Sequence, residues 1–220
     1  MASLLSTKIL AENQKQLILN SGIGLVEYDA ISIGFDNSSL DAPIPRNLIF
    51  TSQNGVKGFF AQYPEFQTRD LNIFCVGDKT KLEIEKNGYS VVTSADSSKE
   101  LANKIVNDFS EKQFLYLCGS KRREELPEIL KNEEINIQEL KVYTTSLSPK
   151  KFNRIFDGVL FFSPSGVQSY CQENELNSSI AFCIGKTTAA EAKKHTQHII
   201  IANKPSIENV IVQAIKKYKI

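Results

Sequence analysis

The chain has 220 residues, 41% hydrophobic and 23% charged, which is ordinary for a globular protein that buries its own core without disulfides or a metal. Twenty-six Lys and Arg against 25 Asp and Glu leave a net charge of +1, which argues against a dedicated nucleic-acid binder but leaves room for a small anion held by a local patch. No apolar run approaches the roughly 20 residues of a membrane span, and MASLLSTKIL is too short in its apolar part for a signal peptide, so no membrane association and a cytoplasmic location are expected.

Taken in chain order, KILA and LVEYDAISIG near the N-terminus can each supply a strand. NLIFTS is a short apolar run ending in a hydroxyl residue, followed by Gly55 and a helix-like stretch. NIFCVG repeats that pattern, and KTKLEIEKNG reads as a helix closed by Gly88. YSVVTS is a β-branched strand. Ser98 can cap the helix KELANKIVNDF, whose Leu101, Ile105, Val106 and Phe109 share a face. FLYLCG is a buried strand, RREELPEILKNE a helix and NIQELKVY a strand. Five strands with helices between them call for a parallel sheet covered on both faces. The remainder supplies GVLFFS, AFCIG and HIII as strands.

An internal repeat organises these elements. LIFTSQNGVKGFF at 48–60 resembles VLFFSPSGVQSYC at 159–171, with Phe50, Ser52, Gly55 and Val56 matching Phe161, Ser163, Gly166 and Val167. CVGDKTKLEIEKNGYSVV at 75–92 resembles CIGKTTAAEAKKHTQHII at 183–200. The period is too long for a solenoid and implies two copies of one domain-sized unit. The second copy has three strands of its own, so the N-terminal strands must complete it. The expected fold is therefore α/β with two similar lobes, each a parallel sheet flanked by helices. Residues 36–143 form a lobe inserted into a discontinuous one made of 1–35 and 144–220, and a double crossing makes a hinge with a cleft.

In open α/β sheets, ligands bind beyond the carboxyl ends of the strands. Thr51, Ser52 and Asn54 follow one strand, and Ser163, Ser165 and Gly166 follow its partner in the other copy. Gly77 to Thr80 and Gly185-Lys186-Thr187-Thr188 follow another such pair. Each turn alone is explained by capping, whereas four facing one cleft suit a multiply anionic ligand, held by free N–H groups and helix dipoles. Gly119-Ser120-Lys121-Arg122-Arg123 is either a solvated turn or an anion site. Tyr143 at a strand end reads either as packing or as a phenol that donates a proton. Cys75, Cys118, Cys171 and Cys183 form no CxxC pair and read as small buried side chains. His195 and His198 fall in a polar helix-to-strand loop and read as exposed. No clustered metal ligands are visible, and GxGxxG, GxxxxGK[ST] and Ser-His-Asp order are absent.

Through LIFTSQNGV, LYLCGSKRREELPEIL, ELKVYTT, GVLFFSPSGV and CIGKTTAAEA, in that order, the chain resembles the uroporphyrinogen-III synthase family of porphyrin and heme biosynthesis. The resemblance implies two α/β lobes with one inserted in the other. It implies a lyase that acts on hydroxymethylbilane, a linear tetrapyrrole octa-acid. The terminal hydroxyl leaves as water and the macrocycle closes, with the last ring inverted through a spirocyclic intermediate. No metal or organic cofactor is implied. Tyr143 matches the family tyrosine of VY-x-T and would be the general acid. Ser163, Ser165, Thr187 and Thr188 match the family serine and threonine motifs, and Thr51, Ser52 and Asn54 match the turn of the other lobe. With Gly77, Ser120, Lys121, Gly166, Gly185 and Lys186, these form the expected carboxylate grip.

The resemblance has departures. KILAENQ stands where the family often has a Thr-Arg-Pro turn, Asn54 where some members carry a basic residue, and Ile180 or its neighbours where a lysine is usual. Lys186, Lys121 and Arg122 are the candidate substitutes. The missing cations keep an alternative open, a non-catalytic two-lobed anion-binding or regulatory protein of the same fold. Catalysis in one hinged chain requires no partner, so a monomer is expected.

Overall fold

A computed structural model describes residues 1–35, 44–64, 66, 70–122 and 124–218. The chain divides into two compact units, one of residues Met1–Ser32 with Ser146–Ile220 and one of Ile33–Thr145. Residue 36, the expected start of the inserted lobe, falls outside the described residues.

The elements begin with β1 (Ser3–Ser6), α1 (Glu12–Leu19), β2 (Gly24–Glu27) and β3 (Ile31–Phe35). Next come β4 (Asn47–Phe50), α2 (Gln53–Gln62), β5 (Asn72–Val76), α3 (Asp78–Lys86) and β6 (Val91–Ala95). They continue as α4 (Ser98–Phe109), β7 (Phe114–Gly119), α5 (Glu125–Asn132) and β8 (Ile137–Leu147). The last are β9 (Gly158–Phe161), α6 (Pro164–Cys171), β10 (Ile180–Cys183), α7 (Lys186–Ala192), β11 (Ile199–Ile201) and α8 (Ile207–Tyr218).

The continuous unit has the strand order β3-β8-β7-β4-β5-β6, and the discontinuous unit β11-β10-β9-β1-β2. The pairings from β8 across to β6, and all those of the second sheet, are parallel. The α/β class with parallel sheets is thus as the alternation of elements implied. Apart from β3, the sheets have one topology with a shifted starting point: β9, β10, β11, β1 and β2 occupy the places of β4, β5, β6, β7 and β8. The repeat in the sequence falls on this equivalence. Asn47 pairs with Phe114 as Gly158 pairs with Leu4.

Alternation along the strands divides each core in two. In the continuous unit Leu48, Phe50, Ile73 and Leu117 pack with Val56, Phe59 and Ile84 of α2 and α3. Ile49, Phe74, Phe114 and Tyr116 on the opposite face pack with Leu101, Ile105, Leu126 and Leu130 of α4 and α5. In the discontinuous unit Leu5, Val159 and Phe161 meet Val167 and Ala189, while Leu4, Leu160 and Phe182 meet Ile18, Val210 and Ile211. The cysteines are free, three buried and Cys171 half-buried. Burial raises the thiol of Cys183 to about 12 and that of Cys75 to about 11, so both stay protonated at neutral pH.

Four readings of the sequence need correction. The first strand is SLLS at Ser3–Ser6, and KILA lies in the turn after it, where the N–H of Leu10 donates to Glu27 Oε1 at 2.7 Å. LVEYDAISIG divides into β2 and β3, and β3 joins the other sheet, which therefore has six strands. The cap of α4 is Ser97, whose Oγ accepts from the N–H of Glu100, and Ser98 is the first helical residue. Finally, α5 begins at Glu125, so Lys121 and Arg122 sit in the turn before it and not in the helix. Arg123, the third of those cations, lies outside the described residues.

The cap assignment gives a direct test. Ser97→Ala should lower stability by about 1 kcal/mol, and Ser98→Ala should change it by less than about half of that, read as urea midpoints at constant m-value.

Candidate active site

Parallel pairing brings the carboxyl ends of β4 to β8 to one edge of the continuous unit, and a pocket of about 360 Å³ opens there. Thr51 and Ser52 line it from the β4–α2 turn, Val76 from β5, Asp96 and Ser97 from beyond β6, Tyr116 and Gly119 from β7, and Tyr143 from β8. Lys121, Arg122 and Glu125 complete it from the β7–α5 turn.

Two hydroxyl–phenol contacts frame this pocket. Ser52 caps α2 by accepting from the N–H of Gly55 at 3.1 Å, and its Oγ lies 3.1 Å from the Tyr143 hydroxyl. Its neighbour Thr51 places Oγ1 3.1 Å from the Tyr116 hydroxyl. The Tyr143 ring lies directly over Gly119, where an added Cβ would come within 2.3 Å of Cζ. Only a residue without a side chain lets the phenol reach Ser52. The register between β7 and β8 shifts at this point, pairing Gly119 with Tyr143, and the N–H of Ser120 donates to the Tyr143 carbonyl at 3.0 Å. Burial raises the Tyr116 hydroxyl above the usual phenol range, and the bond to Thr51 offsets that in part.

The basic residues divide into bound and free. Arg122 pairs with Glu124 and Glu139, and Lys131 also reaches Glu139 at 2.8 Å. Burial works against the charge of Arg122, but the bonds from Glu139 and Glu124 more than offset it and hold the guanidinium pKa above its usual value. Lys121 is exposed and makes no ion pair among the described residues. Of the two candidate substitutes in this turn, Lys121 is therefore the better placed to meet an anion, since Arg122 already carries two carboxylates.

The other expected residues are distributed as follows. Asn54, half-buried in the first turn of α2, and Gly77, at φ +83° before α3, stand on the same edge outside the pocket lining. The Ser120 hydroxyl accepts from the N–H of Thr145 at 3.1 Å. In the discontinuous unit Ser163 caps α6 by accepting from the N–H of Gly166 at 3.0 Å, as Ser52 does for Gly55. Ser165 is half-buried, Gly185 precedes α7, and Lys186 and Thr187 are exposed in its first turn. Thr188 is buried, with 1% of its surface accessible. His195 and His198 are exposed. No group of three or more His, Cys, Asp or Glu among the described residues could hold a metal ion.

Sequence reasoning missed Tyr116, Asp96, Ser97 and Glu125 as pocket residues. Tyr116 hid within an all-apolar strand and Asp96 within ordinary capping chemistry. The rule that selected Thr51, applied to the end of β6, selects Asp96 and Ser97, whereas Glu125 lies in the first turn of α5, beyond its reach.

A family model described as uroporphyrinogen-III synthase HemD matches residues 13–211. The chain belongs to the uroporphyrinogen-III synthase family. It is 23% identical over 241 residues to the porphyrin biosynthesis protein HemD of Ruminiclostridium josui, covering 94% of this chain and 45% of that protein. The chain thus spans about half the length of that curated relative. The crystal structure of uroporphyrinogen-III synthetase from Helicobacter pylori matches the fold with a TM-score of 0.77 at 18% identity, covering 99% of this chain and 100% of that one. A mutant uroporphyrinogen III synthase from the extremely thermophilic bacterium Thermus thermophilus matches with a TM-score of 0.66 at 10% identity, covering 99% and 98%. Among the described residues, no helix of this family member is long and apolar enough to cross a membrane.

The ion-pair cluster makes the pocket edge sensitive to acid. Burial works to raise the Glu139 carboxyl, but the bonds from Lys131 and Arg122 outweigh it and hold the carboxyl below its usual range. A lowered carboxylate pKa contributes stability above the unfolded value of roughly 4.3, and that contribution is lost as pH falls through the folded value. Glu139→Gln should cost about 1 kcal/mol at pH 7. The gap from wild type in urea midpoint should close as pH falls below about 4.

Proposed function

We propose that the chain is a uroporphyrinogen-III synthase that cyclises hydroxymethylbilane with loss of water and inversion of the terminal ring. The family match supports this, and so does the phenol of Tyr143, set at the carboxyl ends of parallel strands and bonded to a hydroxyl in a pocket lined by turn residues. That phenol is the observation that carries the reading, because the reaction begins with a hydroxyl that must leave as water and so needs a proton.

In this reading the substrate's terminal C–O bond breaks as the pyrrole nitrogen pushes electrons toward the departing oxygen. Tyr143 gives its proton to that oxygen. The electron-deficient azafulvene that remains is steadied by the carboxylates lining the pocket, Asp96 and Glu125, and by the turn dipoles. A pocket of about 360 Å³ is the size for one substituted pyrrole rather than four, so it takes the ring that carries the leaving group. Ring inversion demands one held pose more than it demands a reactive group.

The acetate and propionate arms give the turns their role. Thr51, Ser52, Asn54, Gly77, Ser120 and Lys121 offer hydroxyls, N–H groups and one unpaired cation to carboxylates. Ser163, Ser165, Gly166, Gly185, Lys186, Thr187 and Thr188 offer the same chemistry in the other unit. Thr188 would contribute through its backbone, since its side chain is buried. One chain carries the whole set, so a monomer acting in the cytoplasm belongs to the same proposal.

Supplied with hydroxymethylbilane, the protein should give an excess of isomer III after oxidation and separation of the products. Isomer I alone, the product of uncatalysed closure, would instead favour a non-catalytic anion binder. Tyr143→Phe should lower kcat by about 100-fold, the low end of the usual range for loss of a general acid, with an unchanged circular-dichroism spectrum. Full activity would remove the tyrosine from the mechanism. Lys121→Gln should raise KM several-fold and leave kcat within about twofold, the signature of a group that binds equally in ground and transition states.

A further inference from the structure

We infer that Tyr116 is a positioning residue that orders Thr51 so that its hydroxyl donates to a carboxylate arm of the substrate; this rests on the synthase reading above. Tyr116 is 2% exposed and its strand, Phe114–Gly119, is buried along its whole length. Tyr116 belongs to the buried cluster that includes Ile49, Phe74, Phe114 and Leu126. A phenol in such surroundings is costly unless its oxygen is bonded, and the partner it has is Thr51 Oγ1 at the pocket edge.

The direction of that bond decides what Thr51 can do. A threonine hydroxyl has one proton and two lone pairs. If Thr51 donates to the phenol, it has nothing left to offer an anion. If the phenol donates, the Thr51 proton is free and more acidic, because hydrogen bonds in a chain polarise one another. Burial keeps the Tyr116 phenol protonated, so it has a proton to donate, and Thr51 Oγ1 is the acceptor the structure gives it. A carboxylate arriving at Thr51 would select this direction. Thr51 lies next to Ser52, which is held in turn by Tyr143, so a single turn presents two hydroxyls, each tied to a phenol on a different strand.

The internal repeat supplies a control. Ile49 pairs with Tyr116 in one sheet, and Leu160, at the equivalent position, pairs with Ser6 in the other. The residue equivalent to Thr51 is Phe162, which has no hydroxyl to order. The copy with threonine in the turn has the tyrosine beneath it, and the copy with phenylalanine has neither. A phenol needed only for packing would gain nothing from that coincidence.

The test is a double-mutant cycle on the full chain, with hydroxymethylbilane as substrate. Tyr116→Phe and Thr51→Val should each raise KM about 3- to 10-fold with kcat within about twofold, the size of one net hydrogen bond. The double variant should be no worse than the worse single variant, because both remove the same interaction. Thr51→Ser should recover most of the lost affinity. An unchanged KM in Tyr116→Phe, or effects that multiply in the double variant, would overturn the inference. The same set titrated with uroporphyrin III, an octacarboxylate, by absorbance separates the two claims. The same ladder of affinities in a protein that forms no isomer III keeps the positioning role and removes the synthase reading. A flat ladder in an active protein does the reverse. A single cooperative urea transition with an unchanged m-value confirms that Tyr116→Phe still folds.

Discussion

Parallel pairing is the constraint from which the site follows. Every strand of a parallel sheet ends on the same edge, and each is followed by a turn that starts a helix. The hydroxyls, glycines and N–H groups of those turns are therefore gathered without any long-range device. The Thr51–Ser52 turn, Asp96, Gly119 and Tyr143 lie far apart in the chain and meet because β4 to β8 are in parallel register. The sheet also fixes which side chains can enter the pocket. Phe50 and Val142, one position before Thr51 and Tyr143, point instead into the core.

Within that edge the β7–β8 junction is the tightest point. The register shift brings Tyr143 opposite Gly119, the ring takes the space of the missing Cβ, and the hydroxyl reaches the cap of α2. Ser52 thus does two things at once: it closes the first turn of α2 through Gly55 and fixes the phenol of β8. The neighbouring turn is held by charge, through Arg122, Glu139 and Glu124. This engages Arg122 with two carboxylates and leaves Lys121, among the described residues of that turn, with a positive charge to offer. A cluster of basic residues read from sequence overstates the available charge whenever a carboxylate on the next strand is already engaged.

The architecture was legible because the chain states it twice. NLIFTS and GVLFFS, with Ser-x-x-Gly following the strand in both, declare the same strand, cap and helix, and the structure shows the same cap bond in each, Ser52 to Gly55 and Ser163 to Gly166. Where the statement was made once, it was misread. SLLS is four residues long with serine at both ends, so the more apolar KILA attracted the strand assignment, although its backbone is engaged by Glu27 and Asp29 in a turn. LVEYDAISIG reads as one strand because nothing in its pattern marks a change of sheet. The choice between Ser97 and Ser98 depended on backbone angles, extended at the first and helical at the second, and two adjacent serines do not reveal these. Tyr116 escaped for a different reason: in a buried strand a tyrosine reads as another aromatic until the partner of its hydroxyl is known.

The two copies show how one module diverges while keeping its frame. Glu139 faces Tyr116 across β7 and β8, and Glu27 faces Ser6 across β1 and β2, so the carboxylate is common to both. In each copy it anchors the turn that follows the facing strand, β7 or β1, through Arg122 in one and through the N–H of Leu10 in the other. The frame residue is retained because a strand-to-helix turn leaves its N–H groups and cations in need of an acceptor. The pocket residues are under no such demand. Thr51 and Tyr116 in one copy stand against Phe162 and Ser6 in the other, and the exchange leaves both sheets in register. Shared positions therefore report what the fold requires, and the positions where the copies part report what each edge has been adapted to hold.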